Sequence, residues 1–299
     1  MAIDPAILDT LAFSGLDEAT FKQRALASRP GLALFDHDKC FIRYRLHGAD
    51  KAKPTLAFLP DGPATIESYD RLIATLEDRF NIAIFEIPGF GFSYPKSPKA
   101  LEFESSCQIL AELLSSLDLG RVVLVGPCIQ GLFAARISEL LGEQLAGVII
   151  AQTGDFEAER KWIYEGMGGA LLAVPFEGQI GFRLQREKIS VDYWIPYSAG
   201  PHAPVETLQK EARAIQQCGC AYALASQVQK LAVFPQVIDV RIPAAILWGL
   251  ADKSHAKTDR QSVRRYAPQA QYEEYDEVGH FIDIEAPEKI AEVALSLLS

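Results

Sequence analysis

The chain has 299 residues, 49% of them hydrophobic and 23% charged. That length suits one large domain or a domain with an insertion, and the composition excludes disorder. Twenty-nine basic residues against 39 acidic ones leave a net charge of −10, a balance that repels nucleic acid and anionic membranes and favours solubility.

The N-terminus carries acids and no base ahead of its short apolar stretches, so no signal peptide is expected. No apolar run approaches the ~20 residues of a membrane span. The five cysteines, Cys40, Cys107, Cys128, Cys218 and Cys220, form no framework. They read as free thiols of a cytoplasmic protein. Cys218 and Cys220 lack a second pair, so neither a metal nor another cofactor is expected.

Residues 4–28 predict one or two short helices, with Asp17 as an N-cap. Residues 41–46 alternate, as an antiparallel strand does. Residues 55–59, 82–85, 122–125, 148–150 and 245–248 are short continuous apolar runs, the pattern of strands buried on both faces. Helical spacing over 68–77 and 102–117, and from near Ile129 and Asp259, separates them. A last helix spans 287–298. Strand and helix in alternation mean βαβ units and a mostly parallel sheet.

The rhythm breaks between Gln152 and Val240. Residues 162–175 are aromatic and Gly-rich, and 205–231 is helix-like. The expected division is a helical extension at 1–30, a core at 31–152 and 241–299, and a cap at 153–240, inserted after strand six. Trp162, Tyr164, Met167, Phe176, Phe182, Tyr193, Trp194 and Tyr197 lie in the cap. They line an apolar substrate pocket or form the cap's own core, with Trp162 and Trp194 the candidates for substrate contact.

VGPCIQG, residues 125–131, follows a buried strand and precedes a helix. Such a strand–turn–helix projects one side chain at a helix N-terminus, where free N–H groups and a positive dipole end gather. LWGLAD (247–252) ends a buried strand with an acid, and VGHFID (278–283) places a histidine before the last helix. FEIPGFGFS (85–93) is a further motif. Together, in this order, they resemble the α/β-hydrolase superfamily, with its D-x-P-G-x-G-x-S, G-x-S-x-G, post-strand-seven Asp and G-H signatures. The likeness runs from about Phe41 to the C-terminus. Glu86 stands for the first Asp, Pro127 for a common His, Cys128 for Ser, and Gln130 for the second Gly, where it crowds the turn.

The resemblance implies an acyl-transfer enzyme with Cys128 as nucleophile, His280 as base and Asp252 as its orienting acid. Asp155 is an alternative acid, and His255 a weak rival base read as a loop residue. A thiol ionises near pH 8.5, and a helix N-terminus with His280 is expected to lower that further. The N–H groups of Ile129 and Gly62 would form the oxyanion hole. Asp61 reads first as a turn or helix cap and second as a substrate contact, because its charge would repel an oxyanion. The expected partner is a small acyl substrate (ester, lactone or thioester), free or carried on coenzyme A or an acyl-carrier protein. A homodimer is the default assembly. Two other readings stand beside this one: a non-covalent lyase or isomerase using His280 as base, and an inactive ligand-binding protein on the same fold.

Overall fold

The computed structural model describes residues 3–11, 16–166, 169–218, 221–231 and 237–299. Eight strands form one sheet: β1 (Leu32–Asp36), β2 (Phe41–His47), β3 (Thr55–Phe58), β4 (Asn81–Phe85), β5 (Val122–Pro127), β6 (Gly147–Ala151), β7 (Ala244–Gly249) and β8 (Gln271–Tyr275). Their order is β1-β2-β4-β3-β5-β6-β7-β8. β2 pairs antiparallel with β1 and β4, and the other neighbours are parallel. This is the mostly parallel α/β sheet that the apolar runs predict. Every residue of β3, β5, β6 and β7 is buried, because helices cover both faces.

Two strands escape the sequence pattern. β1, LALFD, carries four consecutive apolar residues but lies outside the expected strands, and it is half-buried at one sheet edge; β8, QYEEY, is polar at the other. The helix expected from Asp259 is a single 3-10 turn, Ser262–Arg265. The expected helix at 205–231 is two helices, Val205–Gln217 and Leu224–Leu231. The helices Phe103–Ser116, Ile129–Leu141 and Pro287–Leu298 form where predicted. So do Ile7–Thr10 and Glu18–Leu26, the latter capped by Asp17, which accepts from Thr20 N at 2.9 Å. Met167 and Cys220 lie outside the described residues.

Chain order reverses about β3: β4 lies on one side and β5 on the other. The carboxyl ends of β3 and β5 therefore flank a switch point, where the connecting loops diverge and leave a crevice. Helices between β6 and β7 reach over it. Phe90–Gly91 pairs antiparallel with Ala221–Tyr222, tying the loop after β4 to this inserted segment. Among the described residues no helix is long and apolar enough to cross a membrane.

Beneath the crevice Arg43, fully buried, bonds Glu67 at 2.8 and 3.0 Å and Glu86 through Nε at 2.9 Å. Glu86 also accepts from Phe92 N at 2.7 Å. The residue standing for the first motif's Asp thus anchors the loop it belongs to.

Candidate active site

Cys128 stands between β5 and the helix Ile129–Leu141 as its N-cap, with φ 51° and ψ −138°. A non-glycine residue holds such a conformation only when its surroundings enforce it. Here the enforcement is visible. A Cβ on Gly126 would lie 2.3 Å from Gln130 O, and one on Gly131 would lie 2.0 Å from Thr153 Oγ1. The Thr153 hydroxyl is itself 2.6 Å from Cys128 O and 2.8 Å from Ala151 O. The small residue after the nucleophile is therefore Gly131, one position late. Gln130 does not crowd the turn. Its side chain reaches sideways, with Nε2 3.3 Å from Asp61 Oδ1 and 3.4 Å from Pro60 O.

His280 sits after β8. Gly279 is required because a Cβ there would lie 2.1 Å from Gly200 N. Glu285 ties the turn by accepting from Gly279 N at 2.7 Å, Gly200 N at 3.1 Å and Phe281 N at 3.2 Å. His280 N bonds Ser198 O at 2.9 Å. Its Nδ1 meets Asp252 Oδ2 at 2.7 Å and its Nε2 meets Asp61 Oδ2 at 3.1 Å. Ligand atoms of Cys128, His280 and Asp61 all lie within 4.8 Å of one another. The fold thus gathers Cys128, His280, Asp252 and Asp61 at one point. Asp155 is elsewhere: it caps Ala158 N at 2.8 Å and pairs with Arg265 at 2.8 Å.

Asp252 is held from all sides. Besides His280 it accepts from Gln152 Nε2 at 2.9 Å, Ser254 N at 2.8 Å and Ser254 Oγ at 2.6 Å. Gln152 also receives Gly249 N at 2.8 Å, and it too has a positive φ, 53°. His255 Nδ1 is 2.9 Å from the same Asp252 oxygen. His255 is a loop residue, as expected, but a buried one that joins the site, with its ring centroid 5.2 Å from that of His280. Glu159, fully buried on the helix Phe156–Gly166, approaches His255 Nε2 at 3.7 Å. Gln152 and Glu159 carry no motif. Only a count of polar residues that the fold buries would have singled them out.

The electrostatics depart from the sequence expectation. Burial works against a charged His280, but Asp252, Cys128 and Asp61 together outweigh it, and the imidazole is held well above its usual range. Burial opposes charge on Asp252 as well, yet the two histidines keep its carboxyl well below the usual value. Burial, then the Asp61 charge, push the Cys128 thiol up, and His280 only partly offsets them. The thiol is therefore protonated at rest, where a lowered value was expected. Burial also raises Asp61 against the pull of His280. Asp61 is no turn cap: its side chain faces His280 and Gln130.

Asp61, Gly62, Cys128 and Ile129 line a narrow pocket with Phe90, Phe182, Trp194 and Tyr222. Ile129 opens its helix, so its N–H has no intrahelical acceptor. Gly62 is needed for close approach: a Cβ there would lie 2.6 Å from the Tyr222 ring. Trp162 stacks on His255 at 4.0 Å and Trp194 meets His280 edge-on at 5.0 Å. Of the other cap aromatics, Tyr164, Phe176 and Tyr193 are exposed. A wider pocket, about 430 Å³, lies beyond Trp162 and is lined by Tyr197, Lys253 and Lys257. Asp155 and Trp162 line it, but Cys128, His280, Asp252 and Asp61 do not.

A sequence model of the α/β hydrolase fold family matches residues 54–287. No curated protein matches the sequence. Among solved structures, a Pseudomonas aeruginosa protein provisionally described as an epoxide hydrolase is 15% identical, with a TM-score of 0.72 over 90% of this chain and 96% of its own. The Bacillus megaterium epoxide hydrolase, solved with an inhibitor, is 13% identical, with a TM-score of 0.70 over 89% and 99%. A Salmonella enterica protein provisionally described as an acyltransferase is 16% identical, with a TM-score of 0.71 over 91% and 97%. At these identities the likeness is one of fold.

Proposed function

The chain belongs to the α/β-hydrolase fold family, and within it we propose a cysteine-dependent acyl-transfer enzyme acting on esters, lactones or thioesters. The observation that carries this reading is Cys128, held at a strained strand–helix turn beside a histidine whose far nitrogen is fixed by Asp252.

In the proposed reaction the carbonyl enters the pocket over Cys128. In its neutral form His280 takes the thiol proton on Nε2 as the Cys128 Sγ–carbon bond forms. The Ile129 and Gly62 N–H groups receive the oxyanion. His280 then protonates the leaving group, and water or another acceptor, attacking the acyl-thioester, gives its proton back to the thiolate through His280. Asp252 holds the imidazole tautomer and stabilises its charged form. Asp61 pairs with the charged imidazole through Nε2 at 3.1 Å in the resting site and has to release it before Nε2 can take the thiol proton. Trp162 and Trp194 close the site against water. The core–cap division at 152/153 and 240/241, a coenzyme A or acyl-carrier partner, a homodimer and a cytoplasmic site belong to this same proposal.

The Asp61–His280 bond favours one other reading: non-covalent acid–base chemistry by that pair, with Cys128 inert. Turnover of p-nitrophenyl esters and acyl thioesters by wild type, Cys128→Ala and His280→Asn separates the two. The covalent reading expects both variants to fail. Turnover that survives Cys128→Ala but not His280→Asn overturns it for the acid–base pair.

A further inference from the structure

Two buried polar atoms beside Cys128 have no hydrogen-bond partner: His255 Nε2 and Glu159 Oε2. The proposed acyl transfer uses neither. A ring nitrogen of His255, a carboxylate oxygen of Glu159 and the Cys128 sulfur lie within 4.8 Å of one another. Leaving such groups unpaired is unfavourable, and a ligand that pairs them removes that penalty.

We propose that Cys128, His255 and Glu159 form a binding site for a zinc-class divalent cation. The donor set is sulfur, nitrogen and oxygen, which suits a borderline-soft tetrahedral ion and disfavours magnesium or calcium. Zinc ligands lie about 2.0–2.3 Å from the ion, so tetrahedral neighbours stand roughly 3.3–3.8 Å apart. His255 Nε2 already stands 3.7 Å from the near oxygen, Oε1, of the Glu159 carboxylate. The sulfur, within 4.8 Å of both, has to close by about 1.5 Å at most.

The surroundings are those of a metal ligand set. Asp252 accepts from His255 Nδ1 at 2.9 Å and so fixes the tautomer that presents Nε2 to an ion. Gly154 N donates to Glu159 Oε1 at 2.6 Å, which leaves Oε2 for the ion. Trp162 covers the histidine face at 4.0 Å. Three buried carboxyls, Asp61, Glu159 and Asp252, and a thiol meet only two imidazoles, so a dication reduces the buried negative charge. On binding, the thiol gives its proton to solvent as the sulfur–metal bond forms. The thiolate is then unavailable as a nucleophile, and the ion is a reversible inhibitor of the proposed acyl transfer. The proposal does not depend on that reaction.

The test titrates the full-length protein with cobalt(II), whose bond to a thiolate gives a near-ultraviolet charge-transfer band. One equivalent is expected to produce the band, and zinc to abolish it by displacement. Cys128→Ser is expected to lose it, whereas the Cys218→Ser/Cys220→Ser double variant keeps it. Glu159→Gln, of the same size, is expected to weaken binding at least about tenfold, the loss that an outer-shell change alone can produce. Circular dichroism of each variant confirms folding. Absence of the band in wild type, its survival in Cys128→Ser, its loss in the double variant, or wild-type affinity in Glu159→Gln overturns the proposal. A parallel turnover assay without added metal reports on the acyl-transfer reading separately.

Discussion

Substituting Gly131 by alanine tests how this turn is built. The new Cβ would stand 2.0 Å from Thr153 Oγ1, 2.8 Å from Thr153 Cβ and 2.9 Å from Ile150 Cγ2. Carbon atoms pack at about 3.5–4.0 Å, so the helix Ile129–Leu141 and the chain after β6 must part by roughly 1 Å. Thr153 cannot turn away without losing its contacts to Cys128 O and Ala151 O. Overpacking of this kind costs about 1–3 kcal/mol. With an unfolding entropy of about 2.1 cal/mol/K per residue, the melting temperature should fall by roughly 2–5 °C. The displaced atoms carry the sulfur, and a shift of about 1 Å at a reacting centre can cost about 100-fold in rate. Gln130→Gly supplies the control. It restores the superfamily's glycine at the adjacent position and removes only two long contacts, at 3.3 and 3.4 Å. Calorimetry and ester turnover should show Gly131→Ala far more damaged in rate than Gln130→Gly, with part of the rate restored by adding Thr153→Ala. Wild-type turnover and melting in Gly131→Ala would refute the reasoning.

Arg43→Met leaves Glu67 and Glu86 buried without their cation. The expected loss is about 3–5 kcal/mol, or roughly 5–8 °C in calorimetry, and unchanged melting would show that these carboxyls do not need the guanidinium. Asp61→Asn removes the charge that, after burial, holds the Cys128 thiol up, so alkylation by iodoacetamide at mildly alkaline pH, read by peptide mass spectrometry, should quicken; an unchanged or slower rate counts against it. Asp252 is depressed in the fold, so its contribution is present above the unfolded value of about 3.9 and is lost as pH falls through the folded one. His280 is raised, so its contribution is complete below about 6.5 and is lost as pH climbs through the folded value. Asp252→Asn should therefore melt lower than wild type near neutrality, the gap narrowing below about pH 4. A gap that is widest in acid contradicts this sign.

The sheet was legible because its central strands are short and wholly apolar, and burial on both faces leaves no other pattern. β8 was not, since this edge strand keeps a wet side and reads QYEEY; β1, LALFD, is apolar in sequence and was missed all the same. Cys128, His280 and Asp252 were legible as motifs because a turn, a glycine and a strand end each demand particular residues locally. Asp61 was misread because local chemistry favours a cap, whereas the crevice between β3 and β5 turns its side chain towards His280. The thiol was misread for a related reason. Helix position and a histidine are visible in sequence, but burial and a carboxylate brought from 67 residues away are not. Glu159 and Gln152 lie on segments whose direction is fixed by packing, so nothing near them in the chain marks them.

The central claim is that Cys128 becomes acylated. Wild type is mixed with p-nitrophenyl acetate, quenched in acid during turnover, digested and sequenced by mass spectrometry. The account predicts one acetyl group on the peptide holding Cys128, absent from Cys128→Ala and formed much more slowly in His280→Asn. Rapid turnover with Cys128 unmodified, or acetyl found only on the exposed Cys218, would contradict it.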